Sequence, residues 1–156
     1  TLNMKRINNS IILNYNSNLN DLGFWYQQLV AESLGKKGKG INPTLSVAPK
    51  DHHSLLQLYL DGPRDKFFTF FSSFKKSNKT IDATVDAQRK ATKSIFIKRK
   101  IPFRQFIFKK NDESELGKVF TFFVLETIFL SYLMKVNPFD QPAVEQVKTE
   151  TKKFLR

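Results

Sequence analysis

The feature that most restricts the fold of this chain is a repeated change of hydrophobic period. Short apolar, β-prone runs alternate with segments in which apolar residues recur every three or four positions. Asn8–Tyr15 (NNSIILNY) holds Ile11-Ile12-Leu13 between polar residues and reads as a buried strand. Leu22–Leu34 follows at helical spacing, with Leu22, Trp25, Tyr26, Leu29 and Val30 on one side, Asp21 as its cap and Gly35 as its stop. A cationic loop, Lys36–Gly40 (KKGKG), leads to a second short strand, Thr44–Ala48, set between Pro43 and Pro49. Asp51 is expected to cap a helix over His52–Leu60 that stops at Asp61-Gly62-Pro63. Lys66–Phe74 (KFFTFFSSF) reads as a third strand. Thr80–Lys93 reads as a surface helix, with Ile81, Val85 and Ala87 packing and Arg89, Lys90 and Lys93 facing water. Ile101–Phe108 reads as a fourth strand, placed near an edge by Pro102.

Asp112 and Glu115 have capping-box spacing and open a long apolar helix, Leu116–Val136. Asn137-Pro138 closes it, and a last helix, Gln141–Phe154, is expected to be capped by Asp140. The order βαβαβαβαα implies an α/β fold: a mostly parallel sheet with helices on both faces, plus C-terminal helices. Crossovers are expected to be right-handed. In such sheets ligands bind beyond the carboxyl ends of the strands, which directs attention to the loops after Tyr15, Ala48 and Phe74.

Composition removes several function classes. The 156 residues amount to one domain. With no cysteine, disulfides, zinc fingers, iron–sulfur clusters and thiol catalysis are excluded. The two histidines, His52 and His53, are adjacent, which makes a metal site hard to assemble. The formal net charge of +12 suits an anionic partner such as nucleic acid, but the lysines are scattered and form no run of five. Abundant Lys, Asn, Ile and Phe point instead to codon bias. Within the long helix Leu116–Val136 the nearly apolar run Val119–Met134 is interrupted by Glu126 and flanked by Lys118 and Lys135, which leaves it short of the roughly 20 apolar residues a membrane span needs. A core helix or a dimer contact is expected there. No secretory signal opens the chain, and a cytoplasmic setting is expected. Its first residue is Thr1, which suggests a piece of something longer.

A few residues stand out chemically. Glu32 lies near the end of a helix, where its charge is electrostatically disfavoured. It is either a solvated helix glutamate or a residue kept for its chemistry. His52 and His53 follow the second strand at an expected helix start, a setting that favours a neutral, proton-exchanging ring or simply a cap. Gln141 and Lys148 are seven residues apart and share a helix face, with Gln141 at the helix start. Lys148 is either a cationic clamp or a surface lysine. There is no P-loop and no GxGxxG.

These positions gain meaning together because the sequence resembles the glucose-6-phosphate isomerase family. Val136–Lys148 (VNPFDQPAVEQVK) is similar to the family's C-terminal signature, with Ala143 where many members have glycine. Trp25–Gly40 (WYQQLVAESLGKKGKG) is similar to the segment around the family's base glutamate, and Asp51–Phe68 (DHHSLLQLYLDGPRDKFF) to the segment around its histidine.

The resemblance implies that Glu32 is the general base moving a proton between C2 and C1 of the open sugar. It implies that His53, not His52, helps to open the ring, that Lys148 sits at the ring-oxygen end of the substrate, and that Gln141 contacts the substrate. The reaction it implies is an aldose–ketose isomerisation between glucose 6-phosphate and fructose 6-phosphate through a cis-enediol, with no metal and no organic cofactor. The histidine comes from a partner subunit in the family, so a homodimer is implied. The family's Gly-Gly-Arg motif and its Ser/Thr-rich phosphate loop have no counterpart here. Residues 1–110 are therefore expected to be the second sugar-isomerase domain and 111–156 the C-terminal helices, with the N-terminal half of the enzyme missing and the chain inactive alone. Two other classes are a non-catalytic phosphosugar-binding module, which would need no base, and a basic nucleic-acid binder, for which only weak, non-specific binding is expected.

Overall fold

Ile11, Ile12 and Leu13 are almost fully shielded from water, as expected for the central strand of a sheet covered on both sides. In the computed structural model, which describes residues 7–73, 80–110 and 112–155, they lie in β1 (Asn9–Asn14). Strands β2 (Asn42–Val47), β3 (Lys66–Ser73) and β4 (Phe103–Phe108) complete a four-stranded, all-parallel sheet in the order β2-β1-β3-β4. Asn9 pairs with Asn42 on one side and Lys66 on the other, and Phe68 pairs with Phe103. Phe74 of the expected third strand lies outside the described residues. Pro102 immediately precedes β4, and β4 is an edge, as its position in the sequence implied.

Alternation along each strand divides the core into two layers. Ile12, Phe71 and Phe108 face helices α1 (Asn20–Leu34) and α4 (Glu113–Met134). Ile11, Leu13, Phe68 and Phe70 face α2 (Leu56–Asp61) and α3 (Thr80–Lys98). A final helix, α5 (Pro142–Phe154), has no buried residue. Aromatic rings fill both layers, with Phe96 edge-on to Phe68 and Phe70, and Phe123 tilted against Tyr26 and Phe71.

Several local expectations are corrected. The helix expected over His52–Leu60 is a 3-10 turn, Lys50–His52, followed only later by the six-residue α2. The Asp51 carboxylate turns back to accept from the Val47 N–H at 2.7 Å and the Ser46 hydroxyl at 3.0 Å, so it closes β2 rather than capping a helix. The bond between Ala48 and Pro49 is cis. Helix α1 begins before Asp21, because a 3-10 turn capped by Asn16 leads directly into it. In α3 the packed residues are Val85, Thr92 and Phe96, whereas Ile81 and Ala87 are exposed. Lys93 donates to Gln105 on β4 at 2.9 Å, and Arg89 pairs with Asp86, so neither simply faces water.

Asp112 caps α4 by accepting from the Glu115 N–H at 2.9 Å, while the Glu115 carboxylate reaches the Lys110 N–H. Only one stripe of α4 is buried: Val119, Phe123, Thr127, Ser131 and Met134. Leu125, Phe129, Tyr132 and Leu133 are exposed, so α4 is a core helix on one side alone. Its average hydropathy and length would also suit a membrane span, but Glu126 breaks the run and pairs with Arg104 of the sheet. Asp140 is not the cap of α5; Gln141 holds that position and Asp140 pairs with Lys36.

Candidate functional site

In a parallel α/β sheet each helix returns the chain from the carboxyl end of one strand to the amino end of the next. The last turn of α1, which carries Glu32, therefore lies at the amino ends of the strands. The end of α4 arrives at the same place, because Lys36, just after α1, donates to the Asn137 carbonyl just after α4. Gln141, at the start of α5, is thereby brought against Glu32. Its side-chain amide donates to the Glu32 carboxylate at 2.8 Å across 109 residues of sequence. Gln28, one turn earlier in α1, donates to the other carboxylate oxygen at 3.2 Å.

Two amide donors offset the unfavourable placement of an acid at a helix C-terminus. Glu32 is half-buried as a residue, and its carboxylate still has lone pairs beyond those the two amides use. It borders a cleft of about 410 Å³ that Gly35, Lys36, Asn137, Asp140 and Gln141 also line. That is large enough for a small polar metabolite. The hydrogen bond from Lys36 holds the Asp140 carboxyl below the usual carboxylate range. Chemically the arrangement offers a carboxyl group placed to exchange a proton, and an amide able to orient a hydroxyl.

Lys148 lies further along α5, where its ammonium is exposed and pairs with Glu145 at 2.6 Å. Lys148 does not line the cleft. The histidines are at the opposite end of the sheet, past the carboxyl end of β2. His53 is exposed. His52 is half-buried, with its Nε2 2.7 Å from the Tyr15 hydroxyl and its ring edge-on to Tyr15. Burial, with a smaller push from His53, lowers the pKa of His52, and Asp51 opposes the shift. Neither ring belongs to an α-helix N-terminus, contrary to expectation. Within one chain, therefore, Glu32 and Gln141 meet, Lys148 stands on the same short helix as Gln141, and His53 is remote.

The rule that ligands bind beyond strand carboxyl ends does not lead to Glu32. A second cleft, of about 320 Å³, does occupy those ends, lined by Tyr15, Asn16, Ala48, Ser72, Asp86 and Arg89 among others. Among the described residues no group of three His, Asp or Glu side chains is placed to hold a metal ion. In the sequence Lys36 and Lys39 have no role beyond a cationic loop, and Asp140 only that of a helix cap. The KKGKG run looked like a solvated loop, and nothing in its spacing reveals that it meets a segment about a hundred residues away.

No family model matches the chain. It is 34% identical over 154 residues to a glucose-6-phosphate isomerase of Methanocaldococcus jannaschii, an alignment that covers 89% of this chain and 38% of that protein. It is 30% identical over 165 residues to the glucose-6-phosphate isomerase of Mycoplasma capricolum, covering 92% and 39%. The chain thus spans less than two-fifths of the length of these relatives. Among solved structures, a hypothetical protein of Thermus thermophilus superposes with a TM-score of 0.84 at 24% identity, over 97% of this chain and 42% of that one. A glucose-6-phosphate isomerase of Chlamydia trachomatis superposes with a TM-score of 0.82 at 16% identity, over 96% and 35%. Both likenesses are of fold.

Proposed function

For a chain that resembles glucose-6-phosphate isomerases over nine-tenths of its own length, we propose a role as the C-terminal part of an aldose–ketose isomerase acting on glucose 6-phosphate and fructose 6-phosphate. In this reading residues 1–110 are the second sugar-isomerase domain, 111–156 are the C-terminal helices, and the chain alone does not turn over. The observation that carries the reading is the 2.8 Å hydrogen bond from Gln141 to Glu32 in a sugar-sized cleft. The two residues belong to segments that independently resemble the isomerases.

The mechanism follows from the residue types. Glu32 takes the proton from C2 of the open-chain aldose and returns it to C1, while O1 gains a proton to form the cis-enediol and O2 loses one as the enediol becomes the ketone. Gln141 keeps the carboxylate oriented and meets a substrate hydroxyl. The enediol oxygen needs a cation, which in this reading comes from the arginine motif outside this chain. Lys148 serves the ring oxygen once it exchanges its surface pairing with Glu145 for substrate. His53 opens the ring in the cleft of a second copy. Support for that sharing comes from its place at the far end of the sheet from Glu32. The setting is cytoplasmic.

A chimera tests the proposal: this chain replaces the corresponding part of the Methanocaldococcus jannaschii isomerase. The folded chimera should interconvert the two phosphosugars in a dehydrogenase-coupled assay. Glu32→Gln should lower kcat by at least about 100-fold, the scale of a lost general base. A folded chimera without turnover, or one indifferent to Glu32→Gln, would remove the base assignment. Phosphosugar binding without turnover would favour the non-catalytic binding module.

A further inference from the structure

We propose that Lys36 is a positioning residue: its ammonium fixes the link between α4 and α5 so that Gln141 meets Glu32. The catalytic meaning of this inference rests on the isomerase reading above, but the geometry does not. Helix α5 has no buried residue, so packing does not set where it begins. Gln141 occupies its N-cap position yet its side-chain oxygen makes no cap; its Nε2 donates to Glu32. Something else must hold the preceding residues.

The KKGKG loop supplies it. Lys36 Nζ donates to the Asn137 carbonyl and pairs with Asp140 at 3.0 Å. Lys39 Nζ donates to the Met134 carbonyl at 2.7 Å. Lys39 thus meets the carbonyl-rich C-terminal end of α4, where the helix dipole favours cations, and Lys36 meets the link just beyond it. The Lys36 side chain is only 8% exposed, unlike an ordinary surface lysine. Its two partners, Asn137 and Asp140, lie within the four residues that precede Gln141. The loop itself is held in shape by the reciprocal backbone bonds between Lys36 and Lys39, at 3.0 and 2.9 Å. Glu32, Lys36 and Gln141 therefore form one connected unit, in which Lys36 borders the cleft and acts on Gln141 through Asn137 and Asp140.

The test uses the whole chain and NMR, with the Gln141 side-chain amide assigned by its disappearance in Gln141→Met. In Lys36→Met, which keeps the aliphatic stem and removes the charge, that amide should move to the position of a free glutamine. Its protons should exchange with water about tenfold faster, the scale of one hydrogen bond. Lys36→Arg should restore the wild-type position, and Lys37→Met, a neighbouring charge loss, should leave it unmoved. A merely stabilising lysine would lower the melting temperature without selectively releasing Gln141. The proposal is overturned if the Gln141 amide stays in place in a folded Lys36→Met chain, or if Lys37→Met releases it equally. Should Lys36→Met unfold, Asp140→Asn decides: release of Gln141 supports the proposal and an unmoved amide overturns it. Because no turnover is measured, an inactive chimera would sink the isomerase reading and leave this result standing.

Discussion

Arg104 on the edge strand and Glu126 in the middle of α4 form a two-point ion pair, with the second contact, Nη2 to Oε2, at 2.8 Å. The guanidinium also donates to Thr69 at 3.0 Å and stands 5.2–5.5 Å from the centroids of Phe67, Phe106, Phe122 and Phe123. Both side chains are about a quarter exposed, so the pair is worth less than a fully buried one. Arg104→Met should destabilise the chain by about 2 kcal/mol, since it leaves Glu126 without its partner among aromatic rings. The melting temperature should fall by about 4–8 °C. Arg104→Met with Glu126→Leu should recover most of the loss; a double variant as weak as the single would show that the pair is not the cause.

The two sides of α4 should respond differently to truncation. Phe123 is completely buried between α1 and the sheet, and Phe123→Ala should cost about 3–5 kcal/mol. Phe129 is 64% exposed, and Phe129→Ala should change stability by less than about 0.5 kcal/mol. Urea midpoints of the two variants check the contrast. Equal losses would mean that the exposed side of α4 is covered in solution.

His52 makes stability depend on pH in one direction. Burial holds its pKa below the ordinary 6.5, so the unfolded chain takes up the proton first. This contribution is complete above about pH 6.5 and declines as the pH falls through that value towards the folded pKa. The melting temperature should fall between about pH 7 and pH 5, and His52→Gln should flatten that part of the curve. An unchanged slope in the variant would assign the transition to another group.

Tyr15 supplies the opposite sign. Burial raises its phenol from 10.0 to about 12. The stability it contributes is present below pH 10 and lost as the pH rises through 12. Burial raises Tyr26 and Tyr59 as well, so phenolate absorbance should show several late-titrating tyrosines, of which Tyr15→Phe removes one.

In the proposed isomerase reading, His53 acts in the cleft of a second copy of the chain. Sedimentation velocity should show a dimer in equilibrium with monomer. A strictly monomeric wild-type chain at tens of micromolar would count against a shared cleft within this segment.

The strands and long helices were legible because each is written in a local period. The short apolar runs of β1 and β3, buried on both faces, and the helical spacing of Leu22, Tyr26 and Val30 need no distant partner to be recognised. The failures occurred where a polar side chain had a choice. Asp51 spent its carboxylate on β2 instead of a helix, and Asp140 spent its own on Lys36. Ile81 looked like a packing residue by period alone, yet 76% of it is exposed. In the site, resemblance drew attention to Glu32 and Gln141 one at a time. The sheet rule pointed to the other end of the molecule, where a different cleft lies.

The amino-acid order by itself determined the parallel α/β plan, since periodicity is a property of neighbouring residues and burial on both faces follows from it. Tertiary structure alone decided that a glutamate in α1 and a glutamine 109 residues later share one hydrogen bond. It also decided that two loop lysines close the end of a distant helix and that an apolar helix turns half of itself to solvent. Each of these depends on where the sheet sends the ends of its helices, and on the competition of donors for acceptors that become neighbours only after the chain has folded.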